Sequence, residues 1–182
     1  MRRCHPALPT LWLMTDERLG DALWTALARL PRGAGIVFRH HATPAAERRA
    51  VFDAVRAIAR RRGLLLLLAG SPRQAIGWRA DGAHGRSPHQ HAARRLVRSA
   101  PVHDAREAWR ACRADGDAVF VSPVFATRSH PGARTLGRFG FARLAQLAAA
   151  PAMALGGMTR AKARRLAPLG AAGWAAIDAL AR

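Results

Sequence analysis

Eight short apolar runs punctuate this chain of 182 residues, and seven of them precede a segment whose apolar positions recur at helical spacing. The runs lie at residues 11–14, 35–38, 64–68, 82–84, 96–102, 119–121, 153–155 and 174–177. Between them the spacing predicts helices over about 19–30, 45–62, 72–78, 88–93, 105–113, 139–149 and 159–169. Only five residues follow Ile177, so the eighth helix is expected to be truncated. Alternation at this pace implies right-handed βαβ units and a parallel sheet. The run at 64–68 is Leu throughout, as a strand covered on both faces should be. Eight such units predict one compact α/β domain, a (β/α)8 TIM barrel, although barrels usually need about 200 residues or more. A doubly wound open sheet is the alternative. No GxGxxG follows the first run, which weakens a dinucleotide-binding version of it.

Local signals agree with this layout. Pro44 suits a first helical turn and Gly63 a helix stop. Asp104 is a good N-cap with Glu107 as its capping-box partner, and Thr159 caps the helix that follows Gly156-Gly157.

Half the residues are hydrophobic, which excludes a wholly disordered tail. The longest apolar run, 64–69, is far too short to span a membrane. Met1-Arg2-Arg3 resembles the start of a signal peptide, but His5, Pro6 and Pro9 interrupt the apolar segment that should follow. A cytoplasmic protein without membrane partners is expected. Cys4 and Cys112 are far apart and outside any CxxC pattern, so both are expected to be free thiols.

The net charge is +19, and every basic residue except Lys162 is Arg. Such a field attracts polyanions, phosphorylated metabolites among them. A dedicated nucleic-acid binder concentrates its basic residues and interleaves aromatics for stacking. Here Arg is spread throughout, aromatics make up 6% of the chain and Tyr is absent, so no specific nucleic-acid partner is expected. An oligomer remains compatible with the sequence.

In a barrel of this kind, chemistry sits where strands end. The second run ends in Arg39-His40-His41, the fourth in His84, and the fifth in His103 and Asp104. The sixth leads into Ser122-Pro123 and a long loop carrying Thr127, Arg128, Ser129 and His130. The seventh ends in Gly156-Gly157 and the eighth in Asp178. Guanidinium, imidazole, hydroxyl and a glycine turn with accessible backbone N–H groups are phosphate-binding parts. Each also has a plainer use: His84 or His103 as a hydrogen-bonded structural side chain, the glycine pair as a tight turn, Arg39 as a solvated charge. Their shared rim is what assembles them into a candidate site.

Residues 11–16 read LWLMTD, residues 80–84 ADGAH, and Val102-His103-Asp104 is followed by Glu107-Ala108. Residues 116–132 read GDAVFVSPVFATRSHPG and residues 154–159 ALGGMT, before a last segment at 170–177. In this order the segments resemble the thiamine phosphate synthase/TenI superfamily: its opening strand, its GADGVH, S-V-H-x-x-x-E-A, GADYVGxGPVFxTxTK and AIGGI/MT motifs, and its closing GADGVAVI.

The resemblance implies a (β/α)8 barrel, magnesium, and the joining of hydroxymethylpyrimidine diphosphate to a thiazole phosphate. Pyrophosphate would depart to leave a pyrimidinyl cation, captured by the thiazole nitrogen. Carried over residue by residue, the family pattern survives in part. Its second-strand Q-x-R-x-K falls on Val37, Arg39 and His41, so the Arg is kept. Its N-D after the third strand falls on Ala69 and Gly70, and its second metal Asp on His89. The Ser of S-V-H becomes Pro101. The sixth-loop T-x-T-K becomes Thr127, Ser129 and His130, the glycine turn is intact, and the Ser ending the eighth strand becomes Asp178. TenI-type tautomerases place a catalytic His where this chain has Pro123, so that mechanism is not supported. The resemblance therefore casts Arg39, His41 and His130 as the cations facing the leaving diphosphate. Thr127, Ser129, Gly156, Gly157, His84, His103 and Asp178 become the substrate- and phosphate-binding set. No residue is assigned as a metal ligand, and any magnesium is expected to bind weakly. The alternative is a non-catalytic or divergent barrel that binds a phosphorylated heterocycle.

Overall fold

The computed structural model describes residues 8–86, 96–127, 132 and 134–180. Eight strands form a closed, wholly parallel barrel in sequence order: β1 Leu11–Met14, β2 Gly35–Phe38, β3 Leu65–Ala69, β4 Gly82–His84, β5 Val97–Val102, β6 Ala118–Val121, β7 Ala152–Ala154 and β8 Ala171–Ala176. Helices α1 Ala22–Arg29, α2 Ala45–Arg62, α3 Pro72–Trp78, α4 Ala105–Arg113, α5 Gly137–Ala148 and α6 Arg160–Leu166 cover its outside. The architecture is the (β/α)8 barrel that the alternation predicts. No helix among the described residues is long and apolar enough to cross a membrane.

Differences from the expected elements have local causes. The first predicted helix splits: a 3-10 turn at Glu17–Leu19 ends at Gly20, with φ +48°, before α1 begins. The predicted helix over 159–169 gives way after Leu166 to a 3-10 turn containing Pro168, whose ring cannot continue the α-helical ladder. β8 starts three residues early, in an Ala-Gly segment with no apolar signature. The truncated eighth helix is one 3-10 turn, Asp178–Leu180. The predicted helix over 88–93 and Cys4 lie outside the described residues, while Cys112 is a free thiol.

The predicted caps form. Asp104 accepts the Glu107 N–H at 2.8 Å, and Thr159 Oγ1 accepts the Lys162 N–H at 3.3 Å. Gly63 is left-handed and donates to Ala59 and Arg60 carbonyls as the stop of α2. Arg62, in the last turn of α2, donates to the carbonyls of Leu27 and Leu30, satisfying the open C-terminal end of α1. At the opposite pole from the strand ends, Asp81 accepts the Leu66 N–H at 2.8 Å and Asp117 the Arg98 N–H at 2.7 Å. Both carboxylates stitch the starts of neighbouring strands, so Asp81 serves the fold.

Alternate residues of the strands point inward and fill the barrel. Trp12 is fully buried there, meets Phe120 edge-on at 5.3 Å between centroids, and donates its indole N–H to Pro9 O at 2.6 Å. Gly35 pairs with Trp12 in register, and a Cβ built at Gly35 would run into the indole. The large side chain of one strand is thus seated on the missing side chain of the next. Outward residues such as Ile36, Phe38 and Leu66 form one helix–sheet core with Phe52 and Val55 of α2. Val119, Val121 and Ala154 form another with Phe141 and Leu144 of α5. Replacing Gly35 by Ala should overpack the interior and lower the unfolding free energy by about 1–3 kcal/mol. Urea unfolding measures this, and an unchanged midpoint would mean that the indole does not lie over β2.

Candidate functional site

The strand ends surround a cavity of about 1260 Å³. Arg39, His41, His84, His103, Thr127, Gly156, Gly157 and Asp178 all line it. The residues that sequence reasoning collected from six separate segments therefore share one space. Ser129 and His130, with Arg128 and His89, lie outside the described residues. Met14, Phe120, Leu155 and Ile177 contribute apolar surface to the same wall.

The end of β2 divides its three polar residues. His40 turns away: it is buried at φ +46°, stacks on Phe38 at 4.6 Å and bonds Thr15 Oγ1 through Nδ1 at 3.0 Å. Arg39 and His41 on either side of it reach the cavity. The backbone N–H of Arg39 donates to the same Thr15 hydroxyl at 3.0 Å, and its guanidinium lies 3.5 Å from Asp16. Asp16 is held more tightly by Arg18, at 2.6 and 3.0 Å. Burial pushes His41 below the ordinary imidazole range, and the neighbouring Arg39 and Arg48 push it the same way. The expectation that His41 supplies a cation runs against these surroundings.

No motif in the sequence marks Arg48, one of several arginines along α2, yet in the fold it enters the cavity wall. It donates from Nε to Arg39 O at 2.9 Å and from Nη2 to Ala69 O at 2.8 Å, bridging the ends of β2 and β3. Its guanidinium also lies over Trp78 at 5.1 Å and Phe38 at 5.7 Å. Arg86 was missed as well. It lies two residues beyond His84, the strand period that returns a side chain to the same side, and it also lines the cavity. Arg86 pairs with Glu107 at 2.8 Å. Glu107 accepts from both the backbone N–H and Nδ1 of His103, at 2.8 and 2.7 Å. Burial raises the Glu107 carboxyl, but the bonds to His103 and Arg86 outweigh it and hold the group below its ordinary range.

His84 bonds Ser99 at 2.9 Å and meets Phe120 edge-on at 5.2 Å. It is thus a hydrogen-bonded histidine of the barrel interior and a wall of the cavity at once. Burial, followed by the charges of Arg39, His41, Arg86 and His103, pushes its pKa down to about 3.

Across the barrel, β6 and β7 build a different surface. Gly156 and Gly157 are both left-handed, at φ +96° and +59°. A Cβ on Gly156 would press on Pro123, and one on Gly157 would run into Ala126 O. The turn is therefore packed on the sixth loop and presents bare backbone. Lys162, the one lysine in the chain, donates Nζ to Gly157 O at 2.7 Å and sits 4.7 Å from the Phe125 ring centre. It pins the glycine turn from behind, a role that no sequence motif marked. Asp178 lines the eighth-strand side and contributes to the field around Arg18.

Magnesium prefers hard oxygen ligands in octahedral array, and the described residues do not fit it. Gly70 stands at the end of β3, where a Cβ would collide with Gln74 Oε1, so an amide fills the space next to the backbone. Asp178 is the one carboxylate among the described residues lining the cavity. No group of three or more His, Cys, Asp or Glu among the described residues could hold a metal ion.

The depressed His84 links folding to pH. The unfolded imidazole takes up a proton near pH 6.5 and the folded one only near 3, so stability is full above about 6.5 and falls with acidification between those values. At pH 5 the loss from this group should be about 2 kcal/mol, and His84→Gln should remove that part of the slope in urea unfolding across pH. An identical slope in the variant would show that His84 is as easily protonated in the fold as outside it.

The thiamine monophosphate synthase family model matches residues 11–180. The thiamine-phosphate synthase of Chloroflexus aurantiacus is 31% identical over 181 residues, covering 93% of this chain and 84% of that one. The thiamine-phosphate synthase of Methanoculleus marisnigri is 33% identical over 184 residues, covering 93% and 86%. Among solved structures, a thiamine phosphate pyrophosphorylase from Pyrococcus furiosus superposes with a TM-score of 0.79 at 24% identity, covering 95% of this chain and 88% of that one. The last likeness shows the barrel; the family model and the two relatives carry the assignment further. On a match that runs from the first strand to the turn after the eighth, this chain belongs to the thiamine monophosphate synthase family.

Proposed function

We propose that this protein is a transferase of thiamine biosynthesis that joins hydroxymethylpyrimidine diphosphate to a thiazole phosphate. The observation that carries the reading is the cavity's polarity. Guanidinium groups gather on the β2–β4 side, and a glycine turn with Thr127 faces them from the β6–β7 side. Apolar surface from Met14, Phe120, Leu155 and Ile177 suits flat rings between the two. The volume of about 1260 Å³ exceeds what one small ligand needs, so two substrates fit in one chamber.

In this reading the C–O bond between the pyrimidine methylene and the diphosphate breaks, and its electron pair leaves with pyrophosphate. The thiazole nitrogen then donates its lone pair to the methylene carbon, forming the C–N bond. Charge grows on the leaving diphosphate, where pre-positioned cations stabilise it. Arg39 is the fixed cation of that set, and His130 of the sixth loop shares the role by its position in the family pattern. Gly156, Gly157, Thr127 and Ser129 hold the thiazole phosphate. His84 and His103 shape the wall between, His84 as a neutral imidazole. Asp178 stands where the family carries Ser, and the positive field of Arg18 tempers its charge.

A binding-only barrel is favoured by one observation, the Gly70 backbone and Gln74 amide where the family carries a metal carboxylate. An assay for pyrophosphate release from the two precursors decides between them. Turnover that drops about a hundredfold in Arg39→Ala supports the transferase; thiazole phosphate binding without any pyrophosphate release supports the binding-only protein.

The glycine turn yields a separate expectation. Gly157→Val would force a Cβ against Ala126 O in a left-handed conformation. It should abolish the rise in melting temperature that thiazole phosphate gives the parent protein. Undiminished protection in the variant would remove the phosphate from this turn.

A further inference from the structure

We propose that the guanidinium groups of Arg39, Arg48 and Arg86 bind a diphosphate directly, as a clamp that needs no divalent cation. The inference deepens the proposed function and rests on it for the identity of the natural ligand. It begins from the disagreement between this wall and a magnesium site. At the end of β3, Gly70 brings no side chain and Gln74 fills the adjoining space with a neutral amide. The carboxylates nearest this side are already engaged: Asp16 by Arg18 and Arg39, and Glu107 by Arg86 and His103. A magnesium ion entering here would meet fixed positive charge and no open carboxylate.

A diphosphate meets the reverse situation. Arg48 is oriented by two backbone carbonyls and two aromatic faces, so its position is set before any ligand arrives. Its Nε and Nη2 are engaged, while Nη1 makes no hydrogen bond to a described residue. Arg39 extends from the neighbouring strand end, with one long contact to Asp16 and a side chain that lines the cavity. Arg86 reaches in from β4, anchored on Glu107. Three guanidiniums, from Arg39 after β2, Arg86 after β4 and Arg48 of α2 braced on the ends of β2 and β3, match the several negative charges of a diphosphate, and planar forks suit its oxygens. The clamp does with fixed cations what the family does with a bound one. Pre-organisation matters because Arg48 loses little freedom when the anion binds.

Titration calorimetry of inorganic pyrophosphate into the full-length protein tests this, at about 150 mM salt to screen the general surface field. Two conditions are compared, excess chelator and excess magnesium. The clamp predicts affinity in chelator at least equal to that in magnesium. Arg48→Ala and Arg86→Ala should each weaken binding about tenfold or more, and Arg143→Ala, on the exposed face of α5, should leave it unchanged. Arg48 braces two strand ends, so the exposed Arg86 provides the variant least able to disturb the fold, checked by its melting temperature. Binding that appears only with magnesium would overturn the clamp, as would equal losses in Arg86→Ala and Arg143→Ala. The outcome stands apart from the transferase reading. Magnesium-free pyrophosphate binding without turnover would sink the transferase and keep the clamp, whereas turnover strictly dependent on magnesium would do the opposite.

Discussion

A parallel sheet that closes on itself has no edge, and its inward side chains must share one narrow space. This barrel meets that demand with two large residues and several very small ones. Trp12 and Phe120 occupy the middle, while Gly35, Gly82 and Gly173 withdraw where a Cβ would strike a neighbour. Because the lower interior is full, the upper ends of the strands remain as a chamber. The cavity is thus a consequence of where the packing stops. Each strand end delivers its residues to a place set by register, and the aspartates at the lower pole help hold that register by tying Leu66 and Arg98 to the following strands.

The chamber's electrostatics follow from this placement as well. Three arginines and three histidines line it against one described carboxylate. Burial and nearby positive charge favour neutral imidazoles at His41 and His84, so the permanent charge on that side belongs to the guanidiniums. That shifts the chemistry from titratable cations to fixed ones. It also explains why Arg48 is braced by carbonyls and aromatic rings, an arrangement that holds a charge steady within a repulsive cluster.

The glycine turn obeys a different logic. Its backbone approaches the sixth loop so closely that side chains are excluded, and Lys162 locks it from outside. In a chain where every other basic residue is Arg, a compact ammonium sits where it must reach one carbonyl and face one ring. A planar guanidinium has a different shape and donor geometry. The two halves of the chamber are therefore built by different means: side-chain charge on one side and exposed backbone on the other.

The sequence by itself determined the barrel, because alternation of apolar runs and helical segments is a local signal repeated eight times. Helix α2 and strands β1 and β2 fall where their patterns place them, and Asp104 and Thr159 cap as their positions require. The rim residues carried by motifs were legible for the same reason, since a strand's end is visible in the chain. Arg39 was legible among them, whereas the cavity's other fixed cations, Arg48 and Arg86, were decided only by the tertiary structure. Arg48 is one arginine among many on an amphipathic helix, and nothing local separates it from Arg49, which pairs with Asp53 on the helix surface. His40 and His41 are adjacent in the chain yet face different surroundings, because the left-handed turn at His40 sends one into the core and the next to the rim. Periodicity specifies which face a residue occupies, whereas charge, protonation and ligand contact depend on what other strands bring to that face.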